Sequence, residues 1–387
     1  MNASAQPIYL DYNATTPIDS NVLDAMHPFL QVYFGNPSSD HHYGHLTAIA
    51  VERARQQVAD LLGCQAGEVV FTGGGSESDN MALLGRVWAT DHARPHIVTS
   101  VVEHPAVLNT CRFLERHGAD VTYLPVDGYG QVDPAAVRDC LRASTVVVSI
   151  MHANNETGTL QPLHEIAEIC RDSGIPLHTD ASQSVGKIAT RVDELCIDML
   201  TIAGHKLYAP KGIGALYIRS GIPIDPLIHG AGHENGRRAG TENVPYIVAL
   251  GAAAELARES LSHEGARQAT LRDELQQLLS AEPGATQLSG HPVERLPNTL
   301  NLRFRGIDGN QLLANTPLIA ASTGSACHAG LSEPSPVLLA MGVDPLDAIG
   351  AVRLTLGRPT TLADIEQAAS ALAASARELR AMSVARR

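Results

Sequence analysis

No CxxC pair occurs in this chain. Its six cysteines, Cys64, Cys111, Cys140, Cys170, Cys196 and Cys327, are scattered over 387 residues. That spacing excludes a zinc knuckle or a thioredoxin-type motif and fits reduced thiols in a cytoplasmic protein. Basic residues are also in short supply. Lys and Arg number 28 against 41 Asp and Glu, a net charge of −13, which disfavours direct binding to nucleic acid or an anionic membrane. No apolar run is long enough to span a bilayer. The opening residues, MNASAQPIYLDYN, lack the basic segment and apolar core of a secretory signal. There is neither a Walker A loop nor a GxGxxG fingerprint, so a nucleotide is not specifically implied. Repeats and low-complexity linkers are missing too.

What is present is a chain 44% hydrophobic and 18% charged, suited to a globular protein with a large core. Short β-branched runs read as strands at 68–72, 96–100, 121–126, 145–150, 175–179, 198–203 and 213–218. Helical patterns at 77–90, 105–117 and 161–173 lie between them. This alternation predicts an α/β fold with a mostly parallel sheet covered on both faces. From about residue 246 the pattern changes to a long Ala/Glu/Arg/Leu-rich helix reaching about 280. Strands at 299–304 and 351–356 follow, with a loop around 320–336 between them and a last helix after Thr361. That stretch reads as a smaller α+β domain.

The polar residues gather just past the expected strand ends: "FTGGGSESDN", "EHP", "HANNETG", "DASQS" and "GHK". Open α/β sheets bind ligands there, so Ser76, His104, Asn155, Asp180, Gln183, His205 and Lys206 are candidates to converge. Lys206 closes an apolar run, where a charged amine is costly to desolvate unless it has a task. Asp180 lies one βα unit earlier. Pyridoxal phosphate (PLP) needs such a pair, a lysine for its Schiff base and an acid for its ring nitrogen. His104 could then stack on the ring, although alone it is more often a structural histidine. "GGGSES" fits a phosphate at a helix N-terminus; the alternative is a flexible turn with Ser76 capping the helix.

Other candidates have plainer readings beside them. "DHHYGH" (40–45) places histidines close together, but no accompanying motif supports a metal, and a polar loop near the cleft is expected. Cys64, Cys111, Cys140, Cys170 and Cys196 lie mostly within helical or strand patterns, where buried, inert thiols are the default. Cys327 differs. It sits in "ASTGSACHAGLSEPSPV", a Gly/Ser-rich loop suited to a thiolate nucleophile. Arg353, inside a strand, needs an anion: a substrate carboxylate gripped by both nitrogens, or an internal salt bridge.

Taken in order, "YLDYNATTP", "GNPSS", "FTGGGSESDN", "EHPAVL", "SIMHANNETG", "HTDASQSVGK", "GHKLYAPKGIGALY", "RRAGTEN" and "STGSAC" resemble the motifs of cysteine desulfurases of the NifS/IscS type, over nearly the whole chain. The resemblance implies the fold-type I PLP-dependent aminotransferase architecture. Its large domain would span 16–260, and its small domain would join 1–15 to 261–387. It also implies a homodimer with active sites at the subunit interface. Lys206 would be the Schiff-base lysine, Asp180 the partner of the pyridine nitrogen and Gln183 that of the phenolic oxygen, with His104 on the ring. Gly75, Ser76 and His205 would hold the phosphate, joined by Thr241 of the partner subunit. Asn155, Arg353 and Asn13 would hold the substrate carboxylate, and Cys327 would accept sulfur.

Two departures stand out. Ala203 occupies the place of a phosphate-binding serine, and "GGGSE" replaces the commoner "SGATE". The implied reaction converts L-cysteine to L-alanine, with Lys206 moving the Cα proton, His104 assisting proton transfer, and sulfur passing to Cys327 as a persulfide and then to an acceptor protein. Iron–sulfur cluster assembly, tRNA thiolation and DNA phosphorothioation all draw on such enzymes. "ACH" and "PSPVLLAMGV" also resemble selenocysteine lyases, the alternative substrate reading. A sulfur-relay scaffold without catalysis is a third, opposed by the intact Lys206, Asp180 and Cys327.

Overall fold

The computed structural model describes residues 6–282, 284–324 and 333–385. Strand β1 (Ile8–Tyr9) precedes helices α1 (Ser20–Gln31) and α2 (His42–Leu62). The alternating part follows as β2 (Val69–Thr72), α3 (Gly75–Trp88), β3 (His96–Ser100), α4 (Pro105–Arg116), β4 (Asp120–Leu124), α5 (Pro134–Cys140), β5 (Thr145–Ser149), α6 (Leu163–Asp172), β6 (Leu177–Asp180), β7 (Met199–Ala203) and β8 (Gly214–Ile218). Helix α7 (Val244–Leu279) leads to β9 (Thr286–Leu288), β10 (Thr299–Phe304), α8 (Gly309–Ala314) and β11 (Ile319–Ala320). The chain closes with α9 (Pro336–Ala340), α10 (Pro345–Ala348), β12 (Ala351–Thr355) and α11 (Leu362–Ala385).

The seven expected strands form one sheet in the order β2-β8-β7-β6-β5-β3-β4. It is parallel except for β8, which runs against both of its neighbours. Side chains alternate across the sheet, as the period of two requires. Val69, Phe71, Leu200, Ile202, Ala215 and Tyr217 face the core built with α1, α2, α6 and the first half of α7. Val70, Met199, Leu216 and Ile218 face the opposite core, built with α3 and α4. A fully covered parallel sheet needs such continuous apolar strands.

Sequence patterning missed α1, α2 and α5. The histidine-rich stretch expected as a loop starts a helix instead: α2 runs from His42, and the His41 Nδ1 caps it by accepting the Gly44 N–H at 3.2 Å. No cluster of three or more potential metal ligands occurs among the described residues. Cys111 and Cys170 are buried and Cys64 is partly so; burial pushes all three thiols up to about 12. They are inert at neutral pH.

A separate core joins β10, β12, α8, α11 and the second half of α7, through Leu271, Leu275 and Leu279. Leu10 is buried in it, because β1 pairs with β11 and the following residues run along β12. The N-terminal segment thereby reaches back to the carboxyl ends of the main sheet, where Thr16 N–H bonds the His205 carbonyl at 2.9 Å. No helix among the described residues is long and apolar enough to cross a membrane.

Candidate active site

A cavity of about 600 Å³ opens beyond the ends of β2, β3, β5, β6 and β7. Gly75, Ser76, His104, Asn155, Asp180, Gln183, His205 and Lys206 all line it. These are the positions where apolar strands give way to small and polar residues. Asp180 ends β6, and the parallel pairing of β6 with β7 sets Asp180 opposite Thr201. Five residues further on, a single 3-10 turn (Gly204–Lys206) brings the lysine to the same mouth.

The Lys206 amine donates to the Asn13 carbonyl at 2.5 Å. Burial, reinforced by the Arg353 charge, lowers its pKa to about 8 against the opposing pull of Asp180 and Asp11. Roughly a tenth is therefore free base at pH 7, far more than for an ordinary lysine, and that is the form that attacks carbonyls and removes protons. Asp180 accepts the Ser182 N–H at 2.9 Å. Its carboxylate and the amine stand on neighbouring strand ends.

The Gln183 amide has a fixed orientation. Its Oε1 accepts from the Lys187 amine at 2.9 Å, so its Nε2 is the end that donates to the Asn13 carbonyl at 3.0 Å. His104 has two roles in one ring. Its Nδ1 accepts the Ala106 N–H at 3.2 Å and so caps α4, which leaves the proton of the neutral ring on Nε2. Burial, with Lys206 adding to it, lowers its pKa. His205 Nδ1 lies 3.2 Å from Thr15 Oγ1. Burial and the Lys206 charge hold its pKa down to about 4, so it too is neutral at pH 7. Ser76 does not cap α3. Gly74 takes that place, and Ser76 instead accepts Asn80 Nδ2 at its own carbonyl.

Asn13 and Arg353 flank the cavity without lining it. The Asn13 side chain is buried and engaged at both ends. Its Nδ2 donates to the Asn155 carbonyl (3.2 Å) and Thr299 Oγ1 (2.9 Å). Its Oδ1 accepts from Asn298 Nδ2 (3.0 Å) and the Lys187 amine (3.3 Å). Arg353 pairs with Asp11 at 2.8 Å and donates to the Asn155 carbonyl at 3.1 Å. The internal salt bridge is thus present, while its buried Nε has no partner among the described residues. Ser322 bridges Arg353 backbone to backbone, N–H to carbonyl, at 2.7 Å, so the segment leading towards Cys327 starts beside this arginine. Cys327 itself lies outside the described residues. Thr241 is exposed and outside the cavity.

Sequence reading passed over several buried polar groups. Beneath Asp180, His178 contacts Ser149 Oγ (2.9 Å) and Thr201 Oγ1 (3.1 Å), with Asp79 Oδ1 at 3.7 Å. Burial, with Asp180 adding to it, pushes the Asp79 carboxyl well up. Burial takes Glu103 to about 8 despite the Met151 N–H, which its two oxygens share, and the Ser100 hydroxyl. Lys187 and Ser182 lie inside "DASQSVGK", and a second lysine so close to a strand-end carboxylate is the signal that points to them.

The family model for class-V aminotransferases matches residues 8–368. A relative from Dictyoglomus turgidum, described as cysteine desulfurase IscS, is 46% identical over 378 residues, covering 97% of this chain and 96% of its own. The chain belongs to the cysteine desulfurases of the class-V aminotransferase family. Solved structures agree. A NifS-like protein superposes with a TM-score of 0.89 at 36% identity, covering 97% of this chain and all of its own. SspA in complex with cysteine gives 0.80 at 38% identity, covering 90% of this chain and 98% of its own. The main sheet thus belongs to the architecture expected of a NifS/IscS-type cysteine desulfurase.

Proposed function

We propose that this cysteine desulfurase uses PLP to convert L-cysteine to L-alanine and loads the sulfur onto Cys327 as a persulfide for an acceptor protein. The observation that carries the cofactor reading is one cavity holding a buried amine lowered to about 8 beside the Asp180 carboxylate. The donor set fits the group. Lys206 would hold it covalently and Asp180 would pair with its ring nitrogen. Gln183, whose amide is oriented by Lys187, would offer the second N–H of its Nε2 to the phenolic oxygen. Gly75 and Ser76, at the N-terminus of α3, and His205 would hold the phosphate. A Cβ on Gly75 would come within 3.1 Å of Ser182 Oγ and 3.2 Å of Ala203 Cβ, so glycine keeps that end of the cradle open. When bound, the cofactor supplies a sink for the electron pair released at the substrate Cα.

The chain's own residues do the rest. Lys206 takes the Cα proton. Asp180 keeps the ring nitrogen protonated. His104, with its proton on Nε2, moves a proton at the substrate thiol. Asn155 and Arg353 orient the substrate carboxylate, with Asn13 holding Asn155 in place. The Cys327 thiolate attacks the substrate sulfur, a new S–S bond forms, and the old C–S bond breaks with its electron pair left on Cβ. Protonation at Cβ, and return of the proton from Lys206 to Cα, completes alanine.

A homodimer is supported by the apolar residues left bare on and between α1 and α2: Val32, Phe34, Tyr43 and Ile49, of which Phe34 is 73% exposed. Such a patch marks an interaction surface. In the dimer, Thr241 of the partner subunit would reach the phosphate. The two cores divide near residue 260 of α7, which we take as the boundary between a large domain (16–260) and a small one (1–15 with 261–387). The net charge and scattered thiols support a cytoplasmic enzyme.

Cys327→Ser tests the sulfur step. The variant should keep PLP but release no alanine from L-cysteine. Wild type incubated with L-cysteine should carry one extra sulfur on the Cys327 peptide, removable by dithiothreitol and visible by mass spectrometry. Normal alanine release by the serine variant would refute the persulfide route. Activity on selenocysteine alone would make the enzyme a selenocysteine lyase.

A further inference from the structure

Ala203 leaves a gap in the phosphate cradle. It ends β7 with a methyl group, where a hydroxyl would face the N-terminus of α3. The wall around that methyl holds another candidate. A Cβ built on Gly75 would lie 3.2 Å from Ala203 Cβ and 3.1 Å from Ser182 Oγ, with Thr201 Cγ2 at 3.7 Å. The Ser182 hydroxyl and the Ala203 methyl therefore border the same point, the one that glycine keeps empty in front of the helix. Both residues line the cavity. The Ser182 hydroxyl has no hydrogen-bond partner among the described residues. We infer that Ser182 supplies to the cofactor phosphate the hydroxyl that position 203 lacks, so that the phosphate contact has moved from the end of β7 to the turn after β6. This inference rests on the PLP reading above.

The backbone explains why Ser182 can do this. Its N–H is held by Asp180 Oδ1 at 2.9 Å, an Asx-type turn that fixes residue 182 relative to the carboxylate. On the pyridine ring of PLP, the nitrogen and the carbon bearing the phosphate arm are separated by a single ring carbon. One short turn can therefore serve both, with Asp180 at the nitrogen and Ser182 at the phosphate. The hydroxyl would donate to a phosphate oxygen beside the α3 N-terminus, where the helix dipole already favours negative charge. Hydrogen bonds to a charged acceptor are the stronger kind.

The test uses full-length protein stripped of cofactor, with dissociation constants measured by equilibrium dialysis for PLP and for pyridoxal, which lacks the phosphate. Four proteins are compared: wild type, Ser182→Ala, Ala203→Ser and the double variant. Ser182→Ala should weaken PLP roughly ten- to hundred-fold, the value of a hydrogen bond to a charged group, and leave pyridoxal binding unchanged. Ala203→Ser should restore the loss in the double variant, while alone it adds only a few-fold. Unchanged PLP affinity in Ser182→Ala would overturn the inference. So would an equal loss for PLP and pyridoxal, which is the mark of a general distortion. Failure of the double variant to recover would count against the shared position. If wild type took up no PLP at all, the cofactor reading itself would fail, and the inference with it.

Discussion

Asn13→Ala should cost the protein stability rather than merely substrate affinity. The side chain is 1% exposed and makes four hydrogen bonds, to Asn155, Thr299, Asn298 and Lys187. Each is worth ~0.5–1.5 kcal/mol net, and an orphaned buried partner adds ~1–3 kcal/mol. The second penalty is small here, because every partner keeps another bond. Asn155 keeps Arg353, Thr299 keeps Asn298, Asn298 keeps the Leu356 carbonyl and Lys187 keeps Gln183. The expected loss is therefore about 3 kcal/mol. It is measurable by urea unfolding followed in near-ultraviolet circular dichroism, at matched protein and cofactor concentration. A loss below about 1 kcal/mol together with a raised KM for L-cysteine would refute the reasoning, and would mean that the amide serves the substrate directly.

Two further predictions follow from the same region. Lys206 titrates near 8 when folded and near 10.4 when unfolded, so between those values the unfolded chain binds more protons and stability rises with pH, by about 3 kcal/mol in total. Cofactor-free Lys206→Met should lack that rise; matching slopes for the two proteins would contradict a desolvated amine. Gly214→Ala would drive a methyl to 2.5 Å from the Ile202 carbonyl and 2.8 Å from the Gly74 backbone. It should destabilise by ~1–3 kcal/mol and speed PLP loss on dialysis, and wild-type retention would show that the glycine loop can shift freely.

The main sheet was legible because its strands are short β-branched runs buried on both faces, and that pattern survives without any tertiary knowledge. The direction of β8 was not, since "IGALYI" looks the same either way. A signal existed in the connection from Ala203 to Gly214, which is too short for a parallel crossover through a helix. Helix α2 escaped because its buried face includes Thr47, Ala54 and Arg55; the arginine is held by Glu234 at 2.6 Å, which only the fold reveals. At the site, the residues at strand ends were found and those behind them were missed. Lys187, Asp79, Glu103 and His178 act through neighbours distant in sequence, and no local spacing announces such contacts.

The Asn13 backbone N–H bonds Thr355 Oγ1 across 342 positions, and Asp11 meets Arg353 over a like span. Closing a loop of that length costs only roughly 5 kcal/mol in chain entropy, so distance alone is no obstacle. Time during synthesis is a different matter. Asp11 and Asn13 leave the ribosome 342 residues ahead of Arg353 and Thr355. By the time Ile218 has emerged, the sheet that carries Asp180 and Lys206 is complete, and Asn13 already has Asn155, Gln183, Lys187 and Lys206 to bond, while Asn298, Thr299 and Thr355 are still to come. A chain cut after Ile218 therefore carries Asp180 and Lys206 but lacks Arg353 and the Asn298, Thr299 and Thr355 contacts that complete the cluster around Asn13. The Asp11–Arg353 pair can form only once β12 has been made, so the N-terminal segment is fully tied down late in synthesis.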